Sequence, residues 1–459
     1  MLSISGILTA IAGIWYGVVI SLSLLGLYKA RTFKKRSVFS GSKDTPGVSI
    51  LRPLRGIDCN LYENLESSFL QDYPIFEIIF SVADDDDLAL PIVHQLIEKY
   101  PHIPAKVIIG DEQVGVNPKI NNLIRPYRAA KYDILWVLDS NVLCVPQTLR
   151  ESVALLVTPP KPGGKPVGLV HHVPFAIYPD TNIGSRVEQV YLCTMHAKMY
   201  LAINATKVDS CVTGKSCLYR KSDVNKAASI RKQTLKTNNI AEEDGIAVFG
   251  KYLGEDNMIG SAIWHELGKS HALGSHLAGN TVGTMAFNSY FRRRVRWIRV
   301  RKYMELAATF AEPFTECLVC GLVGAYFMSS FFGFSYTWSY IMHVILWCFN
   351  DVSIFNYLSY ASPAHTFGEP PSHARIGLEF LTAWAARELM AFPIWLFAML
   401  GDTIGWRENG QVYRLLPDKT VELVDPGTEK EALAERVLAS ALNSWGTRDY
   451  IRLSHPSSV

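Results

Sequence analysis

The chain has 459 residues, of which 49% are hydrophobic and 19% charged, with a formal net charge of +3. The charged share lies below the roughly 25% of an average soluble domain, which excludes a disordered chain and a purely soluble one. So small a net charge gives no footprint for nucleic acid.

Residues 4–28 carry no charged side chain. About 25 residues at ~1.5 Å each suffice to cross a bilayer core. A cleaved signal peptide would carry its basic residues before a shorter apolar run. Here Lys29, Arg31, Lys34, Lys35, Arg36 and Lys43 come after it, with no acid until Asp44. The pattern predicts a retained transmembrane anchor, with the chain beyond it in the cytosol.

From 45 to 288 the sequence alternates short apolar runs with helical spacing. Strands are expected at 48–52, 76–82, 106–109 and 133–138, and helices at 61–70, 89–100, 119–131 and 147–157. Such a series implies an α/β domain, a mainly parallel sheet covered by helices. Ligands of these sheets bind beyond the carboxyl ends of the strands. Two acidic groups stand there: Asp84-Asp85-Asp86-Asp87 after the second strand, and Asp139-Ser140-Asn141 after the fourth. No Gly-rich fingerprint follows the first strand, which argues against NAD or ATP bound through those motifs. Carboxylates at strand ends can instead hold a divalent ion against a diphosphate. Asp139 stands out, because a carboxylate directly after a buried apolar strand is costly unless it has a task.

A third acidic group, Glu255-Asp256, opens a helical pattern reaching Leu267; acids there also suit a helix start. Residues 289–312 then read as a basic amphipathic helix carrying Arg292, Arg293, Arg294, Arg296, Arg299, Arg301 and Lys302. Such a helix suits anionic headgroups, and guanidinium groups suit phosphate. Within 314–400 two to three transmembrane helices are expected, near 314–333, 337–360 and 377–400. The last carries Glu379 and Arg387-Glu388, which require partners in lipid. The tail 401–459 reads as polar. The eight cysteines show no zinc or disulfide spacing. Cys317-x-x-Cys320 sits in an apolar run, so buried thiols in a reducing compartment are expected.

An acidic strand end, a second aspartate after a buried strand, an Asp within Glu-Asp, and Arg293-x-x-Arg296-Trp297 occur in that order. This resembles the D, D, D, (Q/R)xxRW signature of membrane-bound inverting glycosyltransferases of family 2 type. Within that group the ceramide glucosyltransferases are the most similar. The segments carrying the likeness are Arg52-Pro-Leu-Arg-Gly56, Val114-Gly-Val-Asn-Pro-Lys-Ile-Asn-Asn122, Lys131-Tyr-Asp-Ile-Leu-Trp136, Glu188-Gln-Val-Tyr191, Cys211-Val-Thr-Gly214 and Arg387-Glu388.

The resemblance implies a GT-A fold facing the cytosol at a Golgi or ER membrane. It implies transfer of glucose from UDP-glucose to the primary hydroxyl of ceramide with inversion, at the surface of the lipid bilayer. By residue, it implies Asp86 near the uridine, Asp139 at the diphosphate and a divalent metal (Mg or Mn), and Asp256 as catalytic base. It further implies Cys211, Arg293, Arg296 and Trp297 at the nucleotide sugar and His196 near the active site. The usual Asp-x-Asp reads Asp139-Ser140-Asn141 here, one carboxylate short. The stretch 225–240 looks like an insertion relative to the family, expected as an exposed loop. Rival expectations are a processive polysaccharide synthase, which would need a polymer channel, transfer to another lipid such as a sterol, and a non-enzymatic scaffold or transporter working through paired intramembrane charges.

Overall fold

A computed structural model describes residues 3–33, 45–235, 240–367, 377–405 and 412–424. The apolar runs form β1 (Val48–Pro53), β2 (Phe76–Val82), β3 (Ala105–Ile109) and β4 (Ile134–Leu138). All but β3 are buried almost throughout, as strands covered on both faces must be; β3 is half-exposed and lies at the sheet edge. The remaining strands are β5 (Val142–Leu143), β6 (Val167–Pro179), β7 (Ser216–Arg220) and β8 (Ser270–Gly283). The eight-stranded order is β3-β2-β1-β4-β7-β6-β8-β5. β1 pairs in parallel with β2 and β4, β2 with β3, and β6 with β8, while β7 runs antiparallel between β4 and β6. The mainly parallel sheet with flanking helices is thus as the sequence pattern implies.

Helices Leu61–Phe69, Leu90–Lys99 and Pro118–Ala129 make the crossovers between the parallel strands. The last starts cleanly: Asn117 Oδ1 accepts from the amides of Lys119 (2.9 Å) and Ile120 (3.3 Å), and Pro118 has no amide to satisfy. This cap fixes where Lys119 projects. The stretch 225–240 differs from the expected loop. Residues Lys221–Leu235 form a helix, because Val224, Ala227 and Ala228 share one face and bury it against Ile246 and Ile259; residues 236–239 lie outside the described ones.

Three helices are long and apolar enough to cross a membrane: Ile4–Arg31, Tyr336–Ser359 and Leu378–Leu400. The segment expected to cross near 314–333 is a 16-residue helix, Cys317–Phe332, spanning about 24 Å at ~1.5 Å per residue. It reaches crossing length only together with Leu306–Thr315, from which it bends by 70°. The basic helix runs Phe287–Met304 and stops at Glu305, short of the expected 312. A short helix Leu306–Ala311 then turns back so that Glu312 meets Arg301.

Charges in the apolar block are paired. Arg387 reaches Glu388 and Glu316, each at 2.5 Å. A second buried pair escaped the sequence reading. Lys198 of the α/β domain lies 2.9 Å from Asp351 in Tyr336–Ser359, both fully buried, with Trp384 Nε1 donating to the other Asp351 oxygen at 2.9 Å. The residues after 401 do more than trail away. Within 401–424, β9 (Thr403–Gly405), β10 (Val412–Leu415) and β11 (Val421–Val424) form an antiparallel sheet. Its Ile404, Tyr413, Leu415 and Val421 pack on Leu253 and Val300. The rest of the tail from 425, like the basic residues from Lys34 to Lys43, falls outside the described residues.

Candidate active site

A cavity of about 460 Å³ opens at the carboxyl ends of β1 to β4. Leu54, Arg55 and Asp58 follow β1, Ala83 follows β2, Asp111 follows β3, and Asp139, Ser140 and Asn141 follow β4. The segment Val212–Lys215 before β7 forms one wall, and Gly254–Asn257 at a helix start forms another. The basic helix covers it with Arg293, Arg294, Arg296, Trp297 and Arg301. Basic side chains outnumber acidic ones along the lining, which suits an anionic ligand.

Buried polar clamps hold the strand ends. Arg52, wholly buried, donates to the carbonyls of Asp139 (2.8 Å) and Val142 (3.2 Å). Asn122 Nδ2 donates to the carbonyls of Leu54 (3.1 Å) and Ser81 (3.3 Å). These are motif residues with a structural task, and they fix the turn that presents Asp139.

Both oxygens of Asp139 are engaged. Lys119 Nζ lies 2.7 Å from Oδ1 and Lys215 Nζ 2.9 Å from Oδ2. Burial acts to raise this carboxyl, but the two ammonium groups outweigh it and hold the acid well below the usual carboxylate range. Lys119 also meets Glu255 Oε1 at 3.1 Å, and Glu255 Oε2 accepts from Asn117 Nδ2 at 2.8 Å.

Asp256 sits in the first turn of the helix Glu255–His265. Burial, and next the neighbouring Glu255 charge, push its carboxyl up to about 6, against the opposing pull of Lys119. A carboxylate titrating there is ionised at neutral pH yet basic enough to take a proton. The close wall explains Gly214: a Cβ at that position would stand 2.7 Å from Asp256 Oδ2. Any larger residue would press on the candidate base.

The arginine helix is anchored from below. Arg293 Nε lies 3.1 Å from Glu188, which is wholly buried. The Arg294 guanidinium lies 3.5 Å over the Tyr191 ring, and both Arg293 and Arg294 lie beside Trp297. His196 reaches the cavity from a π-helical turn, Leu192–His196, a distortion often found at functional sites. Its ring stacks on Tyr200. Burial first, then Arg294 and Arg301, depress it to about 3, so it is neutral at physiological pH.

Asp139, Asp256, His196, Arg293, Arg296 and Trp297 therefore line one cavity. Two expected residues do not. Asp86 is exposed in its loop, and only Ala83 of that loop lines the cavity. The neighbouring Asp87 is turned inward as a loop clamp, accepting from the amides of Gly56 (3.0 Å) and Ala89 (2.8 Å). Cys211 stands behind the wall, its thiol pushed up to about 12 by burial and packed against the apolar core; its neighbour Val212 takes the lining position. Conversely, Lys119, Lys215, Glu255, Arg294 and Tyr191 are site residues that sequence reasoning gave no role. Lys119 and Tyr191 lay inside the flagged segments, but only contacts across the sheet reveal what they do.

The donor set does not fit a protein-held divalent ion at Asp139. Its two oxygens are taken by lysines, and Asn141 Oδ1 accepts from Lys215 Nζ at 3.0 Å. Among the described residues, no three His, Cys, Asp or Glu side chains are placed to hold a metal.

A strand-end cavity with an elevated carboxylate under a basic helix, joined to apolar spanning helices, is the layout of a membrane-bound transferase acting on an anionic donor. Residues 8–421 match the family model of glycosyl transferase family 21, and the chain belongs to that family. A ceramide glucosyltransferase of Komagataella phaffii is 36% identical over 455 residues, covering 88% of this chain and 89% of its own. One of Candida albicans is 33% identical, covering 82% and 88%. A Pyrobaculum calidifontis mannosyltransferase solved with GDP-mannose and Mn²⁺ aligns with a TM-score of 0.37 and 16% identity, covering 86% of this chain and 95% of that one.

Proposed function

We propose that the protein transfers glucose from UDP-glucose to the primary hydroxyl of ceramide, with inversion, giving glucosylceramide on the cytosolic face of a Golgi or ER membrane. The observation that carries the mechanism is Asp256, buried and elevated to about 6, in the same cavity as Arg293 and Arg296. The relatives named as ceramide glucosyltransferases support the substrates.

In this reading the acceptor oxygen attacks the anomeric carbon from the face opposite the diphosphate. The bond from that carbon to the β-phosphate oxygen breaks, and UDP leaves with the electron pair. Asp256 takes the hydroxyl proton as the new bond forms. Charge growing on the leaving UDP is met by the fixed cations of the lining. Trp297 and His196 shape the sugar side of the cavity, and neutral His196 can share a hydrogen bond without adding charge. Because the basic helix packs on the last apolar helix, with the Phe291 and Phe397 rings 5.6 Å apart, a lipid acceptor has a short path from the bilayer.

Microsomes carrying the chain, given radiolabelled UDP-glucose with ceramide, a sterol or diacylglycerol, test the reading. Label in a ceramide product, absent with Asp256→Asn, supports acceptor and base together. Label in another lipid overturns the acceptor alone, and no UDP-glucose binding overturns the donor.

A further inference from the structure

The first and third positions of the Asp139-Ser140-Asn141 turn are where a two-carboxylate clamp would hold a divalent ion. In this protein an ammonium group already stands between them. Lys215 Nζ lies 2.9 Å from Asp139 Oδ2 and 3.0 Å from Asn141 Oδ1. The placement is built into the backbone. In the antiparallel pair β4·β7, Leu138 faces Ser216, so the next position along places Asp139 opposite Lys215. The Asp139 amide confirms that step by donating to the Lys215 carbonyl at 3.2 Å. Arg52 secures the turn from beneath through the Asp139 and Val142 carbonyls. Neither partner can drift without breaking sheet register.

The chemistry of the turn matches. With Asn at 141, the clamp has one formal negative charge instead of two. That suits a monovalent cation held by hydrogen bonds better than a dehydrated divalent ion, which wants charged oxygens at roughly 2.0–2.1 Å. A metal bridging the same two oxygens would need the space the ammonium fills. Displacing Lys215 sideways would leave two like charges in a half-buried cavity. Lys119 closes the other Asp139 oxygen at 2.7 Å, so the carboxylate is bracketed by two ammonium groups, and both line the cavity.

We propose that the Lys215 ammonium is the resident cation of this site, holding the place of a divalent metal between residues 139 and 141 and meeting the diphosphate of the nucleotide-sugar donor. Lysine is a compact point charge with three rotatable donors. It can hold Asp139 and Asn141 with two and offer the third to a phosphate oxygen. Asp139 is then a positioning residue for the lysine. As the bond to the anomeric carbon breaks, the electron pair moves onto the β-phosphate oxygen. The fixed ammonium stabilises that charge, and no proton is transferred at Lys215. The inference rests on the UDP-glucose reading above and goes beyond it by making donor binding and transfer independent of added metal.

The experiment uses the full-length protein in detergent or nanodiscs and measures UDP affinity by calorimetry, alongside transfer, in EDTA and in Mg²⁺ or Mn²⁺. Wild type should bind UDP in EDTA, with affinity and rate changing less than about twofold when metal is added. Removing a charge-assisted contact in Lys215→Met should weaken UDP about tenfold or more. Lys215→Arg, which restores a cation, should recover much of that. The decisive variant is Lys215→Met with Asn141→Asp, which rebuilds two carboxylates around a vacated position: its UDP affinity should return only with Mn²⁺ or Mg²⁺. A lysine that merely braced the fold would lower thermal stability without moving metal dependence. UDP bound by wild type only with metal would overturn this inference and leave the donor assignment standing. UDP bound under neither condition would overturn the donor assignment itself. Unchanged UDP affinity in folded Lys215→Met would overturn the role of the lysine.

Discussion

Asp139 and Asp256 line the same cavity, yet their surroundings drive them in opposite directions. At the strand end, Asp139 is bracketed by two lysines and stays ionised far below the usual range. At the helix start, Asp256 lies beside Glu255 in a buried wall and is raised to about 6. The same side chain becomes a permanent anion in one place and a proton acceptor in the other. Environments that split the titration of paired acids in this way assign their roles, and Lys119, which reaches Asp139 and Glu255, lies between the two halves.

The largest effect should come from removing the raised acid. Asp256→Asn keeps the shape and loses the base, so turnover should fall about 10²- to 10⁴-fold while UDP binding, read by calorimetry, persists. Next comes the lowered acid. Asp139→Asn leaves Lys119 and Lys215 facing each other without their common counter-ion, and should cost about 1–3 kcal/mol of stability. A lower thermal midpoint in detergent would register this. If Asp139→Asn instead lost turnover with an unchanged midpoint, its role would be chemical and the contrast would fail.

The pH profile sharpens the contrast further. The base works only when ionised, so kcat/KM should fall about tenfold per pH unit below about 6 and level off above it, where an unshifted aspartate would hold its rate down to about 4. The smallest effect tunes that limb. Glu255→Gln removes the like charge that raises Asp256, so the acid limb should move to lower pH. Lys119→Met removes an opposing positive charge and should move it upward. Limbs that stay in place in both variants would assign the titration to another group.

Much of the site was legible as residue types in order. Asp139 announced itself by following a five-residue apolar strand, and Asp256 with Arg293, Arg296 and Trp297 by the spacing of the signature. The register of the first aspartate was not legible. In four consecutive acids, each is equally placed on paper, and only the folded loop turns Asp87 inward and leaves Asp86 in solvent. Cys211 was equally ambiguous, because a thiol facing the core and one facing a ligand look alike in a strand-like segment. Lys198 and Asp351, 153 positions apart, could not be recognised as partners until the α/β domain met the apolar helices.

The sequence by itself determined the periodicities: a 28-residue apolar helix at the start, alternating strands and helices in the middle, and apolar helices near the end. Burial of apolar surface acts along the chain, so local pattern suffices to predict it. Only the tertiary structure decided the electrostatics. Lys215 faces Asp139 because β7 pairs with β4, and Lys119 reaches Glu255 because a capped helix aims it there. Charges interact through space rather than along sequence, and their strength depends on the water that folding removes. That is why the chemistry of this cavity appears only when distant segments close around it.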